Sequence, residues 1–172
     1  IQQGMVSYCF GGKAHLLATL LDRAASEVGH EMEGLQTSTL PPTEKLRRHV
    51  RAMVYNFVRF PYAQRLGEQV AANDARSQTW SERFAVPSLA LYRQVVSDGI
   101  ASGEFRPDID PGLLFFSVTG MCEFLFAAKS WLNLAGESLD SELVDRFADH
   151  TVQLLFNGVN APVSPKATKR SK

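Results

Sequence analysis

The sequence predicts an all-α fold, on three observations. Apolar residues recur three and four apart in long blocks. No segment alternates apolar and polar residues for long enough to make a substantial strand. Stretches rich in Pro, Gly, Asp and Thr separate the blocks, as residues that stop and start helices should. A chain of 172 residues, 45% hydrophobic and 21% charged, suits one globular domain able to bury a core. Its formal net charge of zero means that bulk electrostatics advertise no polyanionic partner.

The first block opens with a short helix ending near Phe10, where Val6 and Phe10 share a face. Gly11 and Gly12 then allow a tight reversal. A long helix begins at Lys13, with Leu16, Leu17, Leu20, Leu21, Ala24, Val28 and Met32 along one face. The segment Gln36 to Thr43, with Pro41 and Pro42, is a connector, and Thr43 is the expected cap of the next helix. That helix carries Leu46, Val50, Met53, Val54 and Phe57 on one face. Its arginines Arg47, Arg48, Arg51 and Arg59 read as a solvated face rather than a phosphate site. Phe60-Pro61 ends it, and Pro61 starts a further helix through Leu66 and Val70.

After the polar stretch Asn73 to Ser77 comes a helical pattern through Trp80, Phe84, Leu91, Tyr92 and Val95. Pro87 inside it predicts a kink or break. Gly103 stops that helix, and Asp110-Pro111 caps and starts the next. From Leu113 to Ala128 the pattern is apolar almost all round, which requires cover on more than one side. A membrane span needs roughly 20 apolar residues; Glu123 interrupts this run and Lys129 follows it, so a span is rejected. Gly136 and Ser138 are the expected boundary with the last helix, whose inner face carries Leu143, Phe147, Thr151, Leu154 and Leu155. Residues 161–172, rich in Pro, Ser and Lys, read as a disordered basic tail.

The run Val6-Ser7-Tyr8-Cys9-Phe10-Gly11-Gly12-Lys13, followed by Leu16-Leu17, resembles the end of the DNA-binding domain in tetracycline-repressor-like (TetR) regulators. Cys9 stands where that family commonly has His or another ring, and Gly12 where Ser is common. The Gly103 to Pro111 connector resembles the same family. The resemblance implies three segments: residues 1–12 as the end of a helix-turn-helix, residues 13–160 as a helical ligand-binding and dimerisation domain, and the tail. By the same resemblance, Ile1 is expected to fall part-way along the recognition helix. The resemblance also implies a transcriptional repressor that leaves a double-stranded DNA operator when a small-molecule effector binds. Gln3, Gly4, Met5, Ser7, Tyr8 and Cys9 match its groove-facing positions, and Lys13 matches its phosphate-contacting lysine. Gln can read an adenine edge, and a lysine at a helix N-terminus adds charge where backbone amides already favour phosphate.

Catalytic and metal patterns are lacking. His30-Glu31-Met32-Glu33-Gly34 begins like a zinc-protease motif, but Gly34 stands where its second His belongs. No Walker loop, dinucleotide fingerprint or Gly-x-Ser-x-Gly occurs, so the expectation is no enzyme, no metal and no cofactor. Cys9 and Cys122 read as reduced thiols of a cytoplasmic protein. The expected effector is hydrophobic or aromatic, held by Phe57, Phe84, Tyr92, Phe116 and Phe124, with Asn56 or Arg93 as its polar contact. Glu123, on an apolar face, is expected to pair with an arginine. The all-apolar helix predicts a homodimer in which it and the last helix pair with their copies as a four-helix bundle. The alternative reading is a helical protein–protein interaction module without DNA binding.

Overall fold

Six helices follow one another in the computed structural model, which describes residues 13–63 and 77–160. They are α1 (Lys13–Thr37), α2 (Pro42–Arg59), α3 (Ser77–Ala101), α4 (Pro111–Ala127), α5 (Lys129–Leu134) and α6 (Ser141–Val159). No strand occurs among the described residues, and the single bridge joins Phe105 to Asn160. The groove-facing residues Gln3 to Cys9, the helix expected through Leu66 and Val70, and the tail lie outside the described residues.

Helix α3 is the hub. It packs against α1, α2 and α4, while α2 also packs on α6 and α4. The core between them is built from β-branched residues and one ring: Val50 and Val54 of α2, Tyr92, Val95 and Val96 of α3, and Val118 of α4, none more than 2% exposed. Cys122, the free cysteine among the described residues, is buried there too. Burial pushes its thiol up to about 12, so it packs as a small apolar group rather than a nucleophile.

Polar residues tie the helix ends together, and several boundaries differ from the sequence-based expectation. Thr43 does not cap α2. The helix starts at Pro42, Pro41 offers no side-chain bond, and the Thr43 amide donates instead to Glu104 Oε2 at 3.0 Å. A carboxylate from the α3–α4 connector therefore satisfies a first-turn donor and faces the positive end of the helix dipole. Buried Lys45 returns the favour to α1, donating from Nζ to the Gln36 carbonyl at 3.0 Å.

Pro87 leaves α3 unbroken from Ser77 to Ala101. It sits on an exposed stretch beside Val86, where a carbonyl deprived of its helical donor can be hydrated. Asp110 caps α4 as expected, accepting from the amides of Gly112 and Leu113 at 2.7 and 2.9 Å. The last helix is opened by Asp140, which accepts from the Leu143 amide at 2.9 Å, and not by Ser138. An ionised carboxylate is the stronger acceptor at that position. Between α4 and α6, the short α5 is capped by Ala135 and followed by Gly136, whose φ of +73° is a left-handed turn.

The α3–α4 connector is anchored by one ring. Phe105 is 2% exposed, its amide donates to the Gly99 carbonyl at 2.9 Å, and the Arg106 amide donates to the Val159 carbonyl at 3.0 Å. A Cβ on Gly99 would stand 2.2 Å from the Phe105 ring. Gly99→Ala is therefore expected to destabilise the protein by about 1–3 kcal/mol, despite the better helix propensity of alanine. A lowered urea midpoint measures this; a raised one would mean that the connector is not held by this packing.

Candidate functional site

A cavity of about 320 Å³ lies where α1, α2, α3 and α4 meet. Helical periodicity builds each wall. Val28, Glu31, Met32 and Leu35 of α1 are three and four apart. So are His49, Ala52, Met53, Asn56 and Phe57 of α2, with Phe60 and Ala63 just beyond. Phe84, Ala85 and Ser88 come from α3; Phe115, Thr119 and Glu123 are successive turns of one face of α4. The volume is in the range of small-molecule sites, and the lining is mostly apolar with a few polar groups, as such sites are.

The polar groups fall into two sets. At the solvent side, Glu31 bridges α1 to α2: Asn56 Nδ2 donates to Glu31 Oε2 at 2.9 Å, and Arg59 Nη1 donates to Glu31 Oε1 at 3.0 Å. Arg59 also pairs with Glu27. The second set is buried. His49 is only 6% exposed, and neither its Nε2 nor Thr119 Oγ1 has a hydrogen-bond partner among the described residues. Burial holds the His49 imidazole down to about 4, so it is neutral at physiological pH. The Tyr92 hydroxyl is likewise buried without a partner, and burial pushes its pKa up. Ser88 Oγ lies 3.3 Å from Met32 Sδ and closes the α1–α3 seam.

Of the effector-contacting residues expected from sequence, the structure brings Asn56, Phe57 and Phe84 to this cavity. Four others are placed elsewhere. Tyr92 is a core residue one layer behind the wall, its ring edge-on to His49 at 5.2 Å and to Phe115 at 5.6 Å. Arg93 is exposed. Phe116 and Phe124, 65% and 59% exposed, stand apart from the cavity lining on α4, and Phe115, Thr119 and Glu123 supply the wall instead. The reason is that α4 is apolar all round, so its pattern could not distinguish the face toward the cavity from the face toward solvent. His49 is not among the residues expected from sequence, although its position carries a signal. It lies three residues after Leu46 and four before Met53, in the middle of the α2 apolar face.

Lys13 begins α1, and its side chain is not among those described. The α2 arginines behave as a solvated face: Arg48 pairs with Glu44 at 2.7 Å and Arg51 with Asp149, while Arg47 lies over the Phe156 ring at 4.8 Å. Among the described residues no cluster of three or more His, Cys, Asp or Glu could hold a metal ion. No described helix is long and apolar enough to cross a membrane.

Comparison with solved structures finds the same arrangement of helices in transcriptional regulators. The ketosteroid transcriptional regulator KstR2 of Mycobacterium tuberculosis superposes with a TM-score of 0.76 at 17% identity, over 94% of this chain and 80% of that one. A TetR/AcrR-family regulator from Thermobifida fusca YX-ER1 superposes with a TM-score of 0.68 at 16% identity, over 92% and 80%. At such identities the likeness speaks to fold. No curated protein matches by comparison of sequences. Residues 39–165, well over half of the sequence, match the family described as "Tetracyclin repressor-like, C-terminal domain". The chain thus belongs to the tetracycline-repressor-like family of transcriptional regulators, as its C-terminal domain.

Proposed function

We propose that this domain is the effector-binding and dimerising part of a cytoplasmic repressor, released from its DNA operator when a small hydrophobic or aromatic molecule enters the cavity. The observation that carries the reading is that α1 supplies a full wall of the cavity through Val28, Glu31, Met32 and Leu35. The same helix begins at Lys13, directly after the segment resembling a recognition helix. A ligand that favours one tilt of α1 changes the spacing of two recognition helices in a dimer, and with it the fit to a palindromic operator. In this reading Gln3, Gly4, Met5, Ser7, Tyr8 and Cys9 face the groove and Lys13 contacts phosphate.

Dimerisation is supported by the other face of α4. Leu113, Phe116 and Phe124 are all more than half exposed, as are Trp131 and Leu134 of α5 and Leu154 of α6. Large apolar residues so concentrated mark an interaction surface, and a second copy pairing α4 and α6 with their counterparts covers it.

The test begins with the complete protein in an unbiased selection of random duplexes. Enrichment of a palindrome supports the reading; no enrichment leaves the interaction-module alternative. In the operator-binding protein, Phe84→Trp should fill the cavity and weaken the effector response at least about tenfold, while operator affinity changes less than about twofold. Loss of operator binding by a folded Phe84→Trp variant would remove the cavity from the switch.

A further inference from the structure

Resting on the reading of the cavity as the effector site, we infer that it selects an uncharged, largely apolar molecule carrying one hydroxyl or carbonyl group, received at His49 Nε2 and Thr119 Oγ1. Of the three buried side-chain polar atoms without a partner among the described residues, two belong to residues of the cavity wall. Buried polar atoms nearly always have partners, and leaving them without one is costly. His49 Nε2 and Thr119 Oγ1 are both buried and have none among the described residues, and both residues line the cavity.

Both line the same cavity, His49 from α2 and Thr119 from α4. The Tyr92 ring packs edge-on against both His49 and Phe115, and Thr119 stands one helical turn beyond Phe115 on α4. A neutral imidazole can donate or accept according to its tautomer, and a threonine hydroxyl does both. The pair can therefore serve a hydroxyl, which donates to one and accepts from the other, or a carbonyl oxygen, which accepts from both.

Charge on the ligand is disfavoured from two directions. Among the described lining residues no lysine or arginine offers a ligand carboxylate an ion-pair partner. Glu31 is already engaged by Asn56 and Arg59, so a ligand cation would have to compete with an existing pair. The remaining wall is aliphatic and aromatic, with Met32, Met53, Phe57, Phe84 and Phe115 as its larger members. The cavity volume of about 320 Å³ corresponds to roughly ten liquid waters, room for a two-ring molecule.

The experiment uses four probes sharing one body: 4-cyclohexylphenol, cyclohexylbenzene, 4-cyclohexylbenzoate and 4-cyclohexylbenzylamine. Binding to the full chain is measured by calorimetry at pH 7.5. The phenol should bind at least about tenfold tighter than the hydrocarbon, the benzoate and the protonated amine, because only it pairs both orphaned atoms without bringing in a charge. Thr119→Val, which keeps the shape, should remove most of that advantage and leave hydrocarbon binding within about twofold. The inference is overturned if hydrocarbon and phenol bind wild type equally, if either charged probe binds tightest, or if no probe binds. The wild-type series stands even where the valine variant fails to fold. A phenol preference on a protein whose operator complex ignores the phenol supports the inference, and in that case the regulatory reading alone fails.

Discussion

Replacing Phe116 and Phe124 together by glutamate is expected to turn a dimer into a folded monomer. Both rings are more than half exposed on the α4 face that carries Leu113, beyond which α5 exposes Trp131 and Leu134. The Phe124 and Trp131 rings meet edge to face at 6.1 Å, so they present one continuous apolar surface across the α4–α5 junction. In a two-fold assembly every substitution acts twice, and truncating a central aromatic at an interface typically costs 2 kcal/mol or more. Four lost rings, with four carboxylates brought to the same seam, should raise the dissociation constant by at least about a thousandfold. The fold should tolerate the change, because the buried face of α4 (Leu114, Phe115, Val118, Cys122 and Leu125) is untouched. Sedimentation velocity at low micromolar concentration measures the outcome. A wild-type protein that sediments as a monomer would end the dimer proposal before any variant is made.

The second large effect concerns pH. His49 is held neutral by burial, with a pKa of about 4 against an ordinary value of 6.5. Between those two values the unfolded chain binds the proton and the folded chain does not, so stability rises with pH across the window. The contribution is complete above pH 6.5 and is lost as pH falls toward 4. A separation of this size corresponds to about 3 kcal/mol. Urea midpoints at pH 7.5 and 4.5 should therefore fall steeply for wild type and much less for His49→Leu. Equal slopes would mean that the imidazole is reached by water or protonated in the fold. Carboxylates titrating in the same window act on both proteins, so the difference between the slopes isolates His49.

Much of the fold was legible because helices announce themselves locally. The spacing of Leu46, Val50, Met53, Val54 and Phe57 marks the inner face of α2, and Asp110-Pro111 marks the start of α4. Local chemistry also misled where a tertiary partner competed. Thr43 looked like a cap, yet Glu104, distant in sequence, supplies the acceptor. Pro87 suggested a kink or a break, yet α3 runs unbroken through it and packs against α1, α2 and α4. A propensity of a few kcal/mol yields to the buried face that Ser88, Leu91, Tyr92, Val95 and Val96 form beyond the proline.

By itself the sequence determined the all-α class, the inner face of α2, the Asp110-Pro111 start of α4, the kinship with tetracycline-repressor-like regulators, and three residues of the cavity wall, Asn56, Phe57 and Phe84. Only the tertiary structure decided which residues meet in that cavity. It placed Phe115 and Thr119 inward and Phe116 and Phe124 outward on a helix whose pattern favours no side, and it left the buried His49 Nε2 and Thr119 Oγ1 without a partner among the described residues at the cavity wall. The physical reason is that periodicity within one helix records how strongly each face avoids water. What that face is buried against, a neighbour, a second copy or a space kept for a ligand, is settled only when the helices pack.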